Sequence, residues 1–244
     1  MGMPITIEIV DSSATPDSLE KVFKYFEHVD EKFSTYKDTS EIMSINRGEL
    51  KESEWSDEMR EVFKLSEELK QATNGYFDIK KPDGSRDPSG LVKGWSIRNA
   101  AKILEKDGFK NFYVDASGDI EVSGRNAEGE KWSVGIRNPF NRDQIVKVVY
   151  LDGEETRGMA TSGTYIRGQH IYNPHQAGPL EDIVSLTVVG PNVFEADKFA
   201  TPAFAMGREG IYFIEKQPNL EGYMIDKDGI GTETTGFDKY TKNA

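Results

Sequence analysis

A run of strands separated only by short turns constrains this chain more than any other sequence feature. Residues 112–115, 120–122, 132–136 and 145–151 alternate in polarity or run apolar, and turn-forming residues separate them. Strands joined in this way form antiparallel hairpins. The predicted helices, 16–32, 56–74, 96–107 and 197–206, lie mostly outside this block, without a strict strand–helix alternation. We therefore predict an α+β fold with mixed, largely antiparallel sheets and packed helices.

The length of 244 residues suits one large folded unit with a substantial core. No linker and no internal repeat divides the sequence. We predict a single domain over residues 1–231, with a late strand at 222–226, followed by a polar C-terminal tail at 232–244 that is poorly ordered.

Composition excludes several classes of function. The formal net charge of −12 argues against a nucleic-acid partner, whose phosphates an acidic surface repels. The absence of cysteine excludes disulfides, thiolate metal sites and cysteine nucleophiles. The first ten residues alternate like a strand, and the chain has no long apolar segment. We therefore expect no signal peptide, no membrane insertion and a cytoplasmic location.

The stretch from Met159 to Thr201 carries the residues that favour a phosphate-and-metal site. Small and hydroxyl residues come first, in a predicted turn at 160–163, and let a ligand approach the backbone. His170 can move protons near neutral pH. Asp197 and Thr201 stand four residues apart on a predicted helix, so their oxygens share one face and can hold a hard cation.

Three other residues have both a structural and a binding interpretation. Lys93 and Gly94 stand near the entrance of a predicted helix, where they either meet a phosphate or form a solvated lysine beside a packing glycine. Tyr76 follows a helix-ending glycine and is either a core residue or a ring that stacks on a ligand. Neither G-x-G-x-x-G nor G-x-x-x-x-G-K-[ST] occurs, so the sequence supports neither a dinucleotide fold nor a P-loop.

Several short motifs occur together in a fixed order. They are F-S-T-Y at 33–36, S-E-I at 40–42 with Asn46, G-Y-F-D-I at 75–79, D-P-S-G-L-V-K-G at 87–94, S-G-D-I at 117–120, W-S-V-G-I at 132–136 with Pro139, A-T-S-G at 160–163 and A-D-K-F-A-T at 196–201. In this order they resemble the motifs of the FAD:protein FMN transferases, the ApbE-type flavin transferases, from Met1 to about Gly229.

The resemblance implies a reaction, a fold and a set of site residues. The reaction is Mg²⁺-dependent transfer of FMN from FAD to a threonine hydroxyl of an acceptor protein carrying a flavinylation motif, with release of AMP. The fold is a T-fold-like single globular unit with the FAD site between lobes. The implied catalytic residues are His170, as general base, and Asn173, and the implied metal ligands are Gly90, through its carbonyl, Asp197 and Thr201. The implied flavin-nucleotide contacts are Ser34, Tyr36, Tyr76, Asp78, Lys93, Ser117, Gly118, Asp119, Arg137, Thr161, Ser162 and Gly163.

One motif departs from the family pattern. The family's H-I-I-D-P-x-T-G appears here as His170 to Gly178, with Asn173 in place of aspartate and Gln176 in place of threonine. Asparagine can hydrogen-bond, but it carries no charge and cannot act as a base. Two alternatives stay open, an FAD pyrophosphatase giving FMN and AMP, in which water replaces the threonine, or a flavin-binding protein whose catalysis is weakened because Asn173 replaces the aspartate. His175 is either a compensating group or a plain surface residue.

Overall fold

In the part of the chain that the structure describes, nine strands form a seven-stranded sheet and a separate two-stranded ribbon. The computed structural model of the protein describes residues 2–164, 171, 173–176 and 180–242. The strands are β1 (Ile5–Ile9), β2 (Phe112–Ala116), β3 (Asp119–Ser123), β4 (Trp132–Asn138), β5 (Asn141–Leu151), β6 (Gly158–Gly163), β7 (Ile183–Gly190), β8 (Glu221–Asp226) and β9 (Gly231–Glu233). The large sheet has the order β1-β2-β3-β6-β7-β8-β9, and β4 pairs with β5. Every neighbouring pair is antiparallel, which confirms the predicted α+β class.

Six α-helices accompany the strands among the described residues. They are α1 (Pro16–Phe33), α2 (Glu41–Asn46), α3 (Asp57–Ala72), α4 (Ser89–Lys106), α5 (Val193–Ala205) and α6 (Gly210–Glu215). Side chains fix three of the helix starts, because Ser40, Ser56 and Asn192 each accept a hydrogen bond from the backbone N–H three residues later. Across the described ranges, none of the helices has both the length and the apolar character that crossing a bilayer requires.

The helices and the ribbon cover opposite faces of the large sheet. Consecutive strand residues point to opposite faces. In β7, Val188 packs in the cluster formed with α5 and α6, whereas Val189 packs in the cluster formed with the ribbon. Helices α1 and α4 cover the β1–β2 part of the first face, and α4 also packs against the layer built from α1, α2 and α3. Helix α4 is therefore buried on most sides.

The C-terminal residues differ from the predicted poorly ordered tail. Strand β9 pairs with β8, and the 3-10 helix Phe237–Tyr240 follows it. Phe237 is fully buried and Tyr240 nearly so, both in the cluster beneath the ribbon. The segment is polar on average, but its two aromatic rings are enough to fasten it to the sheet.

Two predicted boundaries also change in the structure. The A-T-S-G residues, predicted to form a turn, are part of β6, and their backbone pairs with β7. Helix α4 begins at Ser89, so Lys93 and Gly94 lie inside the helix and not at its entrance. Both changes follow from tertiary contacts that override a local pattern of small residues.

Candidate active site

A cleft of about 230 Å³ lies between one end of the large sheet and the segment 76–90 that leads into α4. The last residues of β6, the first residue of β3 and one face of α5 form its floor. Most of the site residues inferred from the sequence meet here. Those lining the cleft are Tyr76, Asp78, Gly90, Lys93, Ser117, Asp119, Thr161, Ser162, Gly163, Asp197 and Thr201.

Two buried carboxylates form the acidic centre of the cleft. Asp119 and Asp197 are 2% and 5% exposed. Burial raises the pKa of Asp197 well above its usual value, and the neighbouring Asp119 carboxylate raises it further. Lys93 Nζ lies 2.8 Å from Asp119 Oδ2, and the Thr161 backbone N–H donates to Asp119 Oδ1 at 3.0 Å. One lysine therefore faces two carboxylates, so the balance of charge allows a further cation to bind.

Hydroxyl groups lie beside these carboxylates. Ser162 Oγ is 3.4 Å from Thr201 Oγ1, and Thr201 follows Asp197 by one turn of α5. A side chain at Gly90 would approach the Phe77 ring at 3.2 Å and the Thr201 methyl at 3.7 Å, so the first turn of α4 lies close to α5. Carboxylate, hydroxyl and carbonyl oxygens are the ligands that Mg²⁺ prefers, so this donor set fits a hard cation.

The described residues contain no group of three or more His, Cys, Asp or Glu side chains that could hold a metal ion. A cation in the cleft would therefore depend on hydroxyl and main-chain oxygens as well as on Asp197. Such mixed oxygen donors suit Mg²⁺ and do not suit soft metals, which prefer sulfur.

Gly94 allows α4 and α5 to approach at the centre of the site. Its N–H donates to Asp197 Oδ2 at 2.7 Å. An added Cβ would lie 2.6 Å from Asp197 Cβ and 2.7 Å from Asp197 Oδ2, which is closer than nonbonded atoms can come. The Gly94 N–H thus orients the Asp197 carboxylate, and the absence of a side chain at Gly94 leaves the space that this carboxylate occupies.

We expect Gly94→Ala to displace Asp197 and to destabilise the protein. Overpacking costs about 1–3 kcal/mol, against a gain of about 1 kcal/mol in helix propensity. Urea unfolding should show a net loss of stability, and cleft-dependent activity should fall at least about tenfold because Asp197 moves. In the unfolding measurement Gly90→Ala is the matched control one turn earlier, where the nearest contact is the edge of a ring at 3.2 Å. Equal losses of stability in the two variants would contradict the expectation.

A loop around Asn173 closes one side of the cleft. Asn173 Oδ1 accepts the His175 backbone N–H at 2.9 Å, and His175 Nε2 donates to the Asn74 carbonyl at 2.8 Å. The His175 ring packs edge-on against Tyr76, with centroids 4.5 Å apart. Asn173 therefore supports a turn that holds Tyr76, and its side chain is not among the groups lining the cleft. His170 lies outside the described residues.

Other predicted contacts lie away from the described cleft lining. Tyr36 is 95% exposed, and the Ser34 hydroxyl accepts the Tyr36 backbone N–H. Arg137 lies on the exposed face of β4. Buried and exposed residues alternate along this strand, and Ile136 faces inward, so Arg137 faces outward. Gly118 lies in the tight turn between β2 and β3, where its positive φ of 92° is suited to glycine.

Some lining residues were not predicted as site residues. They are Phe77, Ile79, Lys81, Asp87, Ser89, Ile171 and Pro174. Asp87 Oδ2 pairs with Lys81 at 2.8 Å, and Asp87 Oδ1 accepts the Ser89 N–H. Although burial opposes it, these hydrogen bonds hold the pKa of Asp87 below its usual value. The sequence feature that could have identified Asp87 as a site residue is its position at the start of the D-P-S-G motif, just before α4.

A buried ionic cluster supports the cleft from behind. Glu121 lies in β3, is fully buried, and accepts the Val193 N–H at the start of α5 at 2.6 Å. Arg98 of α4 donates to Glu121 at 2.9 Å, and Arg157 lies 3.6 Å from it. This cluster connects the helices that carry Lys93 and Asp197 to the strand that carries Asp119.

Burial raises the pKa of Glu121 to about 7, from an ordinary value of 4.5, although the arginines oppose the shift. Because the folded-state pKa is the higher one, the stabilisation from Glu121 is complete below about pH 4.5 and is lost as the pH rises through about 7. Glutamine does not titrate. The free energy of unfolding of the wild type, relative to Glu121→Gln, should therefore fall by about 2 kcal/mol between pH 5 and pH 8. Urea unfolding at several pH values measures this difference, with the exposed Glu128→Gln as control. Parallel pH profiles for wild type and Glu121→Gln would refute it.

Together, fold and cleft define a class of antiparallel α+β protein with an acidic, hydroxyl-lined ligand site. The chain belongs to the ApbE family, whose family model matches residues 1–83 and 80–224.

Curated relatives and solved structures are similar to this chain. The FAD:protein FMN transferases of Salmonella typhimurium strain LT2 and Escherichia coli K12 are each 30% identical over 176 residues, 68% of this chain and 49% of theirs. The chain thus spans about half the length of the curated relatives it matches.

The crystal structure of the ApbE protein from Thermotoga maritima matches with a TM-score of 0.85 at 19% identity, covering 99% of this chain and 96% of the other. The flavin transferase ApbE from Vibrio cholerae matches with a TM-score of 0.83 at 23% identity, covering 98% and 96%. These two structures share the fold.

Proposed function

We propose that this protein transfers FMN from FAD to a threonine hydroxyl of an acceptor protein, with Mg²⁺, and releases AMP. The observation that carries the proposal is the cleft, where Asp119, Asp197, Lys93 and the Ser162–Thr201 hydroxyl pair converge from four different elements. Curated relatives that are 30% identical to this chain over 176 residues are named FAD:protein FMN transferases, which supports the same reaction.

Asp197, Thr201 and the Gly90 carbonyl are the groups that would hold Mg²⁺. When bound, the ion neutralises charge on the pyrophosphate and orients it. Ser162 can donate a hydroxyl hydrogen bond to a phosphate oxygen, whereas the Thr161 hydroxyl is paired with that of Thr187 at 2.9 Å on the other face of the strand. Lys93, fixed by Asp119, places a positive charge next to the phosphate oxygens. These roles are electrostatic and positional, which is what phosphoryl transfer chiefly requires.

The volume of this open cleft, about 230 Å³, is smaller than the roughly 300–1,000 Å³ of typical whole-ligand pockets. We therefore assign the cleft to the pyrophosphate and the groups next to it, with the rest of FAD lying outside it. Tyr76 stands at the wall, where its ring can contact an aromatic ring of the dinucleotide.

In the proposed reaction the threonine oxygen attacks the phosphorus of the FMN half of FAD. A new P–O bond to threonine forms, the bond to the bridging oxygen breaks, and AMP leaves with that oxygen. The hydroxyl proton passes to a general base. His170 is assigned this role by its place in the family motif, and the assignment stays a prediction.

The direct test combines purified protein, FAD, Mg²⁺ and an acceptor fragment that carries the threonine motif. We expect in-gel flavin fluorescence on the denatured acceptor and a mass gain equal to FMN, both lost when the threonine is replaced by valine or Mg²⁺ is chelated. Release of AMP and FMN without labelling would indicate the pyrophosphatase instead. FAD binding without either product would indicate a flavin-binding protein. The cytoplasmic location also stays a prediction.

Asn173→Asp tests whether the departure from the family motif weakens catalysis. The side chain acts through its Oδ1, which accepts the His175 N–H, and aspartate keeps that acceptor. We expect the transfer rate to change by less than about threefold, equivalent to under about 0.7 kcal/mol. The initial rate with saturating FAD measures this. A rise of more than tenfold would show that the missing charge limits the wild-type enzyme.

A further inference from the structure

His175 joins two segments of the cleft wall that are far apart in the chain. Its Nε2 donates to the carbonyl of Asn74, 101 positions earlier, at 2.8 Å. Its ring packs edge-on against Tyr76, with centroids 4.5 Å apart. An ideal Cβ on Gly75 would lie 3.8 Å from both Cε1 and Nε2 of the imidazole. The imidazole therefore lies against three consecutive residues that follow α3.

The backbone of those three residues is fixed by the end of the helix. The Gly75 N–H donates to the Lys70 carbonyl at 2.8 Å. The Tyr76 N–H donates to the Thr73 carbonyl at 3.1 Å. Asn74 and Gly75 have positive φ angles of 49° and 79°, which turn the chain where the helix ends. The helix end thus sets the direction of the Asn74 carbonyl and presents a fixed acceptor to the imidazole.

The Tyr76 ring is not held in the core as its neighbour is. It is half-buried and lines the cleft, whereas the next side chain, Phe77, is 5% exposed and packs in the helical layer. A side chain that is ordered only when a ligand arrives weakens binding, because its lost rotamer freedom opposes association. Since His175 already packs on Tyr76, part of that freedom is lost on folding and not on binding.

His175 is itself held in place, at the edge of the cleft. Asn173 is 8% exposed, and its Oδ1 accepts the His175 backbone N–H at 2.9 Å. The His175 side chain is exposed and is not among the described residues that line the cleft. It is therefore placed to act on a ligand through Tyr76 and not by direct contact, which distinguishes it from a catalytic group and from a plain surface residue.

We propose that His175 is a positioning residue that holds the Tyr76 ring against an aromatic ring of FAD. This inference rests on the proposed function, in which FAD is the donor substrate, and it adds a residue that sets how tightly FAD binds. The Asn74 carbonyl can only accept a hydrogen bond, so the imidazole Nε2 carries a proton. Neutral histidine meets that requirement, so the contact needs no charge on the ring.

The test is a double-mutant cycle on FAD binding with His175→Ala and Tyr76→Leu in the full chain. Calorimetric titration with FAD, without Mg²⁺ and without acceptor so that no turnover occurs, gives the dissociation constant of each variant. His28→Ala is the matched control, because His28 bonds to Glu58 and lies outside the described cleft lining. Urea unfolding checks that every variant is folded.

We expect His175→Ala to weaken FAD binding at least about fivefold, the size expected from loss of one hydrogen bond and one ring contact. In the Tyr76→Leu background the same change should alter the dissociation constant by less than about twofold, because His175 acts through that ring. His28→Ala should match wild type. Equal factors in the two backgrounds, or unchanged binding by His175→Ala, would overturn the inference.

Transfer kinetics separate positioning from a general loss of structure. A ring contact at the cleft wall is the same before and during attack on phosphorus, so it contributes uniform binding. His175→Ala should therefore raise the KM for FAD as much as it weakens binding, with kcat within about twofold of wild type. A lower kcat with an unchanged KM would indicate a merely structural role and would overturn the inference.

A second variant isolates the ring contact from the hydrogen bond. His175→Gln keeps an N–H donor at nearly the position of Nε2 and removes the ring. Its dissociation constant for FAD should lie between those of wild type and His175→Ala, and a wild-type value would overturn the role of the ring. Titration of His175→Ala with FMN and with ADP then identifies the ring that Tyr76 contacts. Weaker binding of FMN alone would identify the isoalloxazine, and weaker binding of ADP alone would identify adenine.

The inference and the proposed function fail in different ways. If wild type labels an acceptor but His175→Ala binds FAD as tightly as wild type, the positioning role is overturned and the proposed function stands. If the cycle shows coupling but wild type labels no acceptor, the positioning role stands and the protein binds FAD without transferring FMN. If wild type binds no FAD, both are overturned.

Discussion

Replacing Asp197 with asparagine is expected to lower FMN transfer at least about a hundredfold, comparable to removing one preorganised electrostatic group from an active site. Asp197 is the carboxylate that the structure places beside Thr201, at the centre of the cleft. Asparagine has nearly the same shape but no charge, so it is a much weaker ligand for a hard cation. The remaining activity should require a higher Mg²⁺ concentration than the wild type does.

The same variant should fold normally, which separates the loss of activity from a loss of structure. The Gly94 N–H donates to Asp197 Oδ2 at 2.7 Å, and the asparagine oxygen can accept the same hydrogen bond. We expect the thermal midpoint without Mg²⁺ to stay within about 3 °C of wild type, equivalent to roughly 1 kcal/mol.

Initial transfer rates over a range of Mg²⁺ concentrations measure the effect. Asp107→Asn is the matched control, because it makes the same chemical change at a surface carboxylate that pairs with Lys21. If Asp197→Asn kept more than a tenth of the wild-type rate with an unchanged Mg²⁺ requirement, Asp197 would not be the metal ligand.

The sequence predicted those parts of the fold that leave a local periodic signal. Helices α1 and α3 were predicted from apolar residues at helical spacing, and their observed bounds are close to the prediction. Strand β6 has no such signal, because all of residues 158–163 except Met159 are small or hydroxylated. Its strand conformation is imposed by pairing with β3 and β7, and the β7 partners lie about 20–30 residues later in the chain.

The candidate site likewise has some features that the sequence predicted and others that only the structure shows. The sequence alone predicted that Asp197 and Thr201 share one helix face, because they stand four positions apart. The approach of Gly94 to Asp197 was not, because these residues are 103 positions apart and meet only when α4 packs on α5. The role of Asn173 also required the structure, since its hydrogen bond to the His175 backbone is a property of the folded loop.

The C-terminal segment shows how average composition can mislead. Residues 232–242 are mostly polar, yet Phe237 is fully buried and stacks on Tyr223 with ring centroids 5.7 Å apart. Polar residues anchor the segment as well. The Glu221 carboxylate accepts hydrogen bonds from the Gly236 N–H at 3.0 Å and from the Thr234 hydroxyl. A buried phenylalanine ring and a partly exposed carboxylate therefore fix a segment that looks like a tail.

Phe237→Ala should accordingly destabilise the whole protein and not only its C-terminal residues. Removing a fully buried phenylalanine costs about 3–5 kcal/mol, as lost burial plus the cavity that remains. The cavity would open beneath the ribbon, in the cluster that also contains Trp132 and Val189. We therefore expect ribbon and sheet to unfold together at a lower urea concentration, with the slope of the transition unchanged.

Urea unfolding followed by tryptophan fluorescence tests this, since Trp132 lies in the affected cluster. Tyr212→Ala is the control, because that aromatic side chain is 58% exposed and should cost less than about 0.5 kcal/mol. If Phe237→Ala unfolded at the same urea concentration as the control, residues 232–242 would contribute nothing to the core. A loss of about 3 kcal/mol or more would show that they belong to the same cooperative unit as the seven-stranded sheet.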